Sequence, residues 1–146
     1  MIRISKEQVR EIAEYLDCGM KCYLNKETGE LKTIIDFDNS PYADEELWED
    51  VLQELEENWD KYDEIPKMES HESFGLMADF TESINDKDLR TALINALNKR
   101  HPFRNFKWII DNSGPFRQKW FDFKNQRLLQ WVRDQLDGLD IKYDNE

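Results

Sequence analysis

Five basic residues, Arg100, Arg104, Lys107, Arg117 and Lys119, are the side chains of this sequence best suited to meeting an anion. Guanidinium groups grip carboxylate or phosphate through paired hydrogen bonds, and lysine supplies a compact point charge. All five lie in residues 99–133, which hold nine of the chain's 20 Lys and Arg, eight of its aromatic residues and only two acids, Asp111 and Asp122. That stretch carries +7 in a chain whose net charge is −12. Arg104 and Lys107 flank Phe106, and Arg117 and Lys119 lie beside Phe116 and Trp120. Cations interleaved with rings are the materials of single-stranded nucleic-acid binders. A second chemistry is open to the same stretch: Arg104, Arg117 and Arg127 could gather around an anionic substrate.

Other residue groups offer less. His71-Glu72-Ser73 contains the residue types of a nucleophilic triad, but triads are assembled from separated elements, so a polar helix start is expected there. His101 precedes Pro102, where a helix can begin, and is expected to cap it or face solvent. Neither histidine has a partner at metal-ligand spacing. Cys18 and Cys22 form C-x3-C rather than C-x2-C, and the expectation is two small core residues, on one face if both occupy one strand. Residues 44–64 hold eleven acids against one base, Lys61. Metal binding needs converging oxygens and phosphate mimicry a longer array of charge, so a solvated helix face is expected. The five glycines are scattered, which leaves no glycine-rich phosphate loop. No catalytic residue, metal or cofactor is assigned.

The elements that must position these residues read as follows. Ser5 and Gln8 form a capping box, with Ile4 and Val9 as a hydrophobic staple, at the head of a helix over 6–17. Alternation in Met20-Cys22-Leu24 and Leu31-Thr33-Ile35-Phe37, with Gly29 between, predicts a β-hairpin over 19–37. Ser40-Pro41 opens an acidic helix whose apolar stripe is Leu47, Trp48, Val51, Leu52, Leu55, Trp59 and Tyr62. Residues 65–68 read as an extended link. Helices follow over 72–84, from an Asp86 cap, from Pro102 with Phe103, Phe106, Ile109 and Ile110 inward, and from Pro115 to about Asp137, with Gly138 as C′ residue. On a helical phase Arg100, Arg104 and Lys107 share one side, and the rings fall on another, as in an amphipathic core helix. Leu139, Ile141 and Tyr143 alternate, so the tail adds a third short strand, with the hairpin as candidate partner.

The fold class expected is α+β: a mostly helical single domain over residues 1–146 with an N-terminal β-hairpin. At this length a chain buries about 70% of its unfolded surface, enough for a core without disulfide staples. The composition is 39% hydrophobic and 36% charged, and its five Trp, five Tyr and eight Phe argue against disorder. The net charge disfavours non-specific binding of the whole body to nucleic acid or anionic membrane. No run approaches a membrane span, the N-terminus lacks a signal-peptide pattern, and two cysteines are too few for a disulfide scaffold, so a cytoplasmic setting is expected.

Ala92-Leu-x-x-Ala96-Leu97-x-x-Arg100-x-Pro-Phe103-Arg104-x-Phe106-Lys107, then Trp120-Phe121-x-Phe123 and Arg127, resembles the bacterial uncharacterised protein family 0158. Tyr23-Leu24-x-x-x-Thr28-Gly29-Glu30 matches the strand-and-turn segment of the same family. The resemblance departs at His101, near which members often have Gly, and at Trp108, where they have an acid. It implies a small bacterial cytoplasmic protein and transfers no catalytic residue. Three functions compete. First is a non-enzymatic protein-interaction module, self-associating or with an unknown protein partner, through segregated acidic and basic faces. Second is single-stranded RNA binding through residues 99–133. Third is an enzyme with an anionic substrate.

Overall fold

A computed structural model of the chain describes residues 2–37 and 44–144. It is α+β and mostly helical. The expected helix opening at Ser40-Pro41 falls outside the described residues. Two compact units emerge: residues 1–67 with 128–146, and residues 68–127.

The first unit holds the strands. Strand β1 (Arg3–Ile4) leads into helix α1 (Lys6–Asp17) through the expected capping box. Gln8 N donates to Ser5 Oγ at 3.1 Å, and Ser5 N donates to Gln8 Oε1 at 2.8 Å. Val9, Ile12, Ala13 and Leu16 are buried, as their spacing requires. Strands β2 (Lys21–Asn25) and β3 (Leu31–Ile34) form the predicted hairpin, with Cys22 opposite Thr33 and Leu24 opposite Leu31. Its turn is built by side chains. Asn25 Oδ1 accepts from the amides of Glu27 and Thr28, Thr28 Oγ1 accepts from the amide of Glu30, and Gly29 supplies φ 78°. Gln8 Nε2 donates to the Gly29 carbonyl at 3.1 Å, which ties the capping box to the turn.

The acidic segment departs from the single helix expected. A 3₁₀ turn (Glu45–Trp48) precedes helix α2 (Glu49–Glu57), a second 3₁₀ turn (Trp59–Lys61) follows, and the acidic segment ends in strand β4 (Tyr62–Ile65). Asn58 leaves helical geometry at φ −121°, and Tyr62 to Ile65 instead pair antiparallel with β2, with Tyr23 opposite Glu64. The sheet order is β3-β2-β4, so the hairpin's third strand comes from 62–65 and not from the tail. The tail does form a strand, β5 (Lys142–Tyr143), but it pairs parallel with β1. An Arg3–Asp144 ion pair and Asp144 N donating to the Ile4 carbonyl at 3.0 Å secure it.

The second unit is helical: α3 (Ser70–Ser83), α4 (Lys87–Leu97), α5 (Pro102–Asp111) and the first half of α6 (Phe116–Gly138). Asp86 caps α4 as expected, its Oδ1 accepting from Leu89 N at 3.0 Å. Met77, Phe80, Ile84, Leu93, Leu97, Phe106 and Ile110 form the core, with Phe116, Trp120 and Phe123 packed against it. Trp120 meets Phe106 at 4.9 Å and Phe80 at 5.3 Å between ring centroids, both edge to face, an arrangement that aligns ring quadrupoles favourably. Gly138 is the last helical residue of α6 rather than its C′. The left-handed position falls to Asp140 at φ 59°, where Asp140 N donates to the Asp137 carbonyl and Ile141 N to that of Leu136.

Candidate interaction face on helices α4 and α5

Helix α5 begins because Pro102 occupies its first turn, and it buries Phe106 and Ile110, four residues apart. Phe103, expected inward, is 43% exposed. Helical phase tells which side a residue takes and not how deeply it is covered. Arg104, Lys107 and Trp108 are exposed. Trp108 is 69% exposed.

The five candidate cations are all exposed, and the structure divides them. His101 adopts the left-handed conformation, φ 58° and ψ 55°, immediately before α5. Arg100 therefore precedes the helix, and the helical phase expected to align it with Arg104 and Lys107 does not run through it. Arg104 and Lys107 keep their shared side, three residues apart. Asp111 takes up two of the five: Lys107 Nζ lies 3.5 Å and Arg117 Nε 3.3 Å from its carboxylate oxygens. Arg117 and Lys119 turn apart on α6, Arg117 over the Phe121 ring at 4.8 Å and Lys119 over Phe116 at 4.9 Å. Arg100 and Arg104 have no ion-pair partner among the described residues.

Arg127 is committed elsewhere. Its Nη2 donates to Asp79 Oδ2 at 2.8 Å, and its guanidinium lies over Phe123. With Arg117 on Asp111 and Arg127 on Asp79, two of the three arginines of the anionic-substrate reading are held by different acids.

What sequence reasoning missed is a hollow between α4 and α5. Ala92, Ala96, Lys99, Asn105, Trp108 and Ile109 line about 240 Å³. The two alanines on α4 leave the space, and Trp108 stands at its rim, one helical turn after Arg104. The signal was present as Ala92-x-x-x-Ala96 facing Trp108-Ile109, but small residues at helical spacing also read as plain core.

The other candidates resolve into structural roles. Glu69 and Glu72 build a capping box for α3, Glu69 N donating to Glu72 Oε1 at 3.2 Å, and His71 lies 3.5 Å and 3.8 Å from their carboxylates. His71 thus does have acidic neighbours, and the three ligand atoms lie within 4.8 Å of one another, although both carboxylates already serve as cap. Cys18 and Cys22 do not share a strand face: Cys18 ends α1 and is exposed, whereas Cys22 is buried on β2. Burial, with Glu64 nearby, pushes the Cys22 thiol up to about 12. Tyr23 is likewise pushed up to about 12, first by burial and then by the negative charge of Glu64. Glu45, Glu46, Glu49, Glu56 and Glu57 line an open concavity at α2, while Leu47 and Trp59, assigned to the apolar stripe, are 79% and 75% exposed. None of the helices formed by the described residues is long and apolar enough to cross a membrane.

The sequence profile of the Uncharacterised protein family (UPF0158) matches residues 1–146. A UPF0158 protein of Pseudomonas aeruginosa is 31% identical over 92% of this chain and 83% of its own length. UPF0158 proteins of Chlamydia muridarum and Chlamydia trachomatis are 30% and 28% identical over 62% of this chain, and the match spans 29% of each of those longer proteins. No solved structure matches the chain.

Proposed function

The chain belongs to the uncharacterised protein family UPF0158, and from that premise we propose that it is a protein-interaction module whose working face is the α4–α5 hollow with Trp108, Lys99 and Arg104. The observation that carries this reading is Trp108, 69% exposed at the rim of an apolar hollow and one turn from an arginine with no ion-pair partner among the described residues. Tryptophan and arginine are the residues that most often dominate binding energy at interfaces. Size favours a protein over a small molecule. Ligand pockets run to about 300–1,000 Å³, and 240 Å³ suits one partner side chain. The partner is therefore a protein presenting an apolar residue flanked by carboxylates, in a cytoplasmic setting.

A test uses the full chain with two probes, a random Glu–Leu copolymer and polyglutamate. The copolymer is expected to bind more tightly, and Trp108→Ala and Arg104→Ala each to weaken it about tenfold or more. Equal binding of both polymers, unchanged in Trp108→Ala, would sink the reading.

A second reading rests on the same exposed rings. Phe103 and Trp108, beside Arg100, Arg104 and Lys107, offer stacking surfaces among cations, as single-stranded RNA binders do. Oligouridylate binding that falls steeply with salt and is lost in Trp108→Ala would favour it over the first.

A further inference from the structure

Residues 44–64 carry the chemistry complementary to the α4–α5 face. They hold eleven acids against one base, and within them Leu47 projects from the 3₁₀ turn Glu45–Trp48 at 79% exposure, between Glu45, Glu46 and Glu49. That turn is held in shape. Asp44 caps it, its Oδ1 accepting from Glu46 N at 3.0 Å, and Leu47 N donates to the Asp44 carbonyl at 3.2 Å. An apolar residue displayed on an ordered turn loses little conformational freedom when it docks. Taking the α4–α5 hollow as an interaction face, we propose that its partner is a second copy of this chain. Leu47 of one copy enters the hollow beside Trp108 of the other, and Glu45, Glu46 and Glu49 meet Lys99 and Arg104.

Three features support this occupant. The hollow, about 240 Å³ with Ala92, Ala96 and Ile109 in its lining, takes one aliphatic side chain. The charges match in sign, and Arg104 has no ion-pair partner among the described residues, whereas Lys107 and Arg117 already share Asp111. Leu47 and Trp108 are both open to solvent. Because anchor and hollow are different patches, the contact is heterologous, so copies either join in a row or close reciprocally as a pair. The net charge of −12 opposes association at long range. The attraction is therefore a short-range one between the matched patches.

Sedimentation velocity of the full chain, with Leu47→Ser and Arg104→Glu, tests the proposal. Both substitutions sit at exposed positions, and thermal melts confirm that each variant folds. The parent is expected to associate with rising concentration, and each variant alone to do so about tenfold or more weakly. An equimolar mixture is the decisive arm: Leu47→Ser keeps its hollow and Arg104→Glu keeps its leucine, so the two should form a 1:1 complex and nothing larger. A monomeric parent, a Leu47→Ser variant that associates like the parent, or a mixture that stays monomeric would each overturn it. If the Glu–Leu copolymer still binds through Trp108 in that event, only the identity of the partner falls. If copolymer binding is absent as well, the interaction face falls with it.

Discussion

Residues 1–67 with 128–146 carry −14, from ten basic and 24 acidic side chains, whereas residues 68–127 carry +2, from ten and eight. The chemistry of cohesion differs as much as the charge. The first unit joins strands distant in sequence, β1 with β5 and β2 with β4, and holds all the tyrosines and both cysteines. The second packs helices around Phe80, Phe106, Trp120 and Phe123 and has neither residue type. The basic side chains are shared equally, and the difference lies in the acids, 24 of which belong to the unit with the sheets. On the helical unit the cations are therefore not outnumbered by neighbouring acids, ten against eight, and its face can carry a local positive field.

The sharpest way to break the comparison is to remove its aromatic half. Phe106 is 1% exposed and edge to face with Trp120. Phe106→Ala should cost about 3–5 kcal/mol by lost burial and the cavity left behind. Denaturant unfolding measures the total, and hydrogen exchange should place the loss in α3, α4 and α5. An equal loss of protection in β2 and β3 would show that the two units do not differ in what holds them.

Alkaline pH should act on the other side. In the folded chain the Cys22 thiol and the Tyr23 hydroxyl are each pushed up to about 12, from 9.0 and 10.0. The fold favours their neutral forms. Its stability is unaffected by them below pH 9, where both states keep the protons, and falls as pH rises from about 9 toward 12, where the unfolded chain ionises first. Urea midpoints at pH 8 and pH 11 measure the decline. Cys22→Ala with Tyr23→Phe should flatten it, and exchange protection should fail first in β2. A decline as steep in the double variant would assign the effect to other groups.

How much of this was legible depended on whether the signal was local. Ser5 and Gln8 lie three residues apart and carry their own cap, so α1 was readable to the residue. The Thr28-Gly29-Glu30 turn and the Asp86 cap were local in the same way. Strand β4 was not, because its partner β2 lies some forty residues earlier and its Asp63 and Glu64 read as more of the acidic helix. The tail strand was readable as alternation, but a parallel pairing with β1 leaves no mark in the tail itself. In the candidate face, the buried ring of Phe106 followed from helical phase. The separation of Arg100 from Arg104 did not, since it turns on one residue, His101, adopting a left-handed conformation. The use of Asp111 by both Lys107 and Arg117 also depends on how α5 and α6 meet, which spacing alone does not give.

The smallest expected effects come from two positions, one in each unit, that share a region of backbone space. Gly29 has φ 78° and His101 φ 58°. A Cβ at Gly29 would meet only Ile2 and Ile4 at 3.8 Å, ordinary contact, so Gly29→Ala should cost the left-handed strain itself, about 1–2 kcal/mol. His101 already bears that strain, and its side chain makes no capping hydrogen bond. His101→Gly should relieve it, less the entropy that glycine loses on folding, for a net gain of up to about 1 kcal/mol. Paired thermal melts read both. A loss at 29 and a gain at 101 would mean that the two turns obey the same backbone physics and that this chain tolerates the strain at 101. A loss at His101→Gly would instead mean that the imidazole does something there besides occupy the turn, and since it sits between Arg100 and the start of α5, binding by the α4–α5 face would be the next property to measure in that variant.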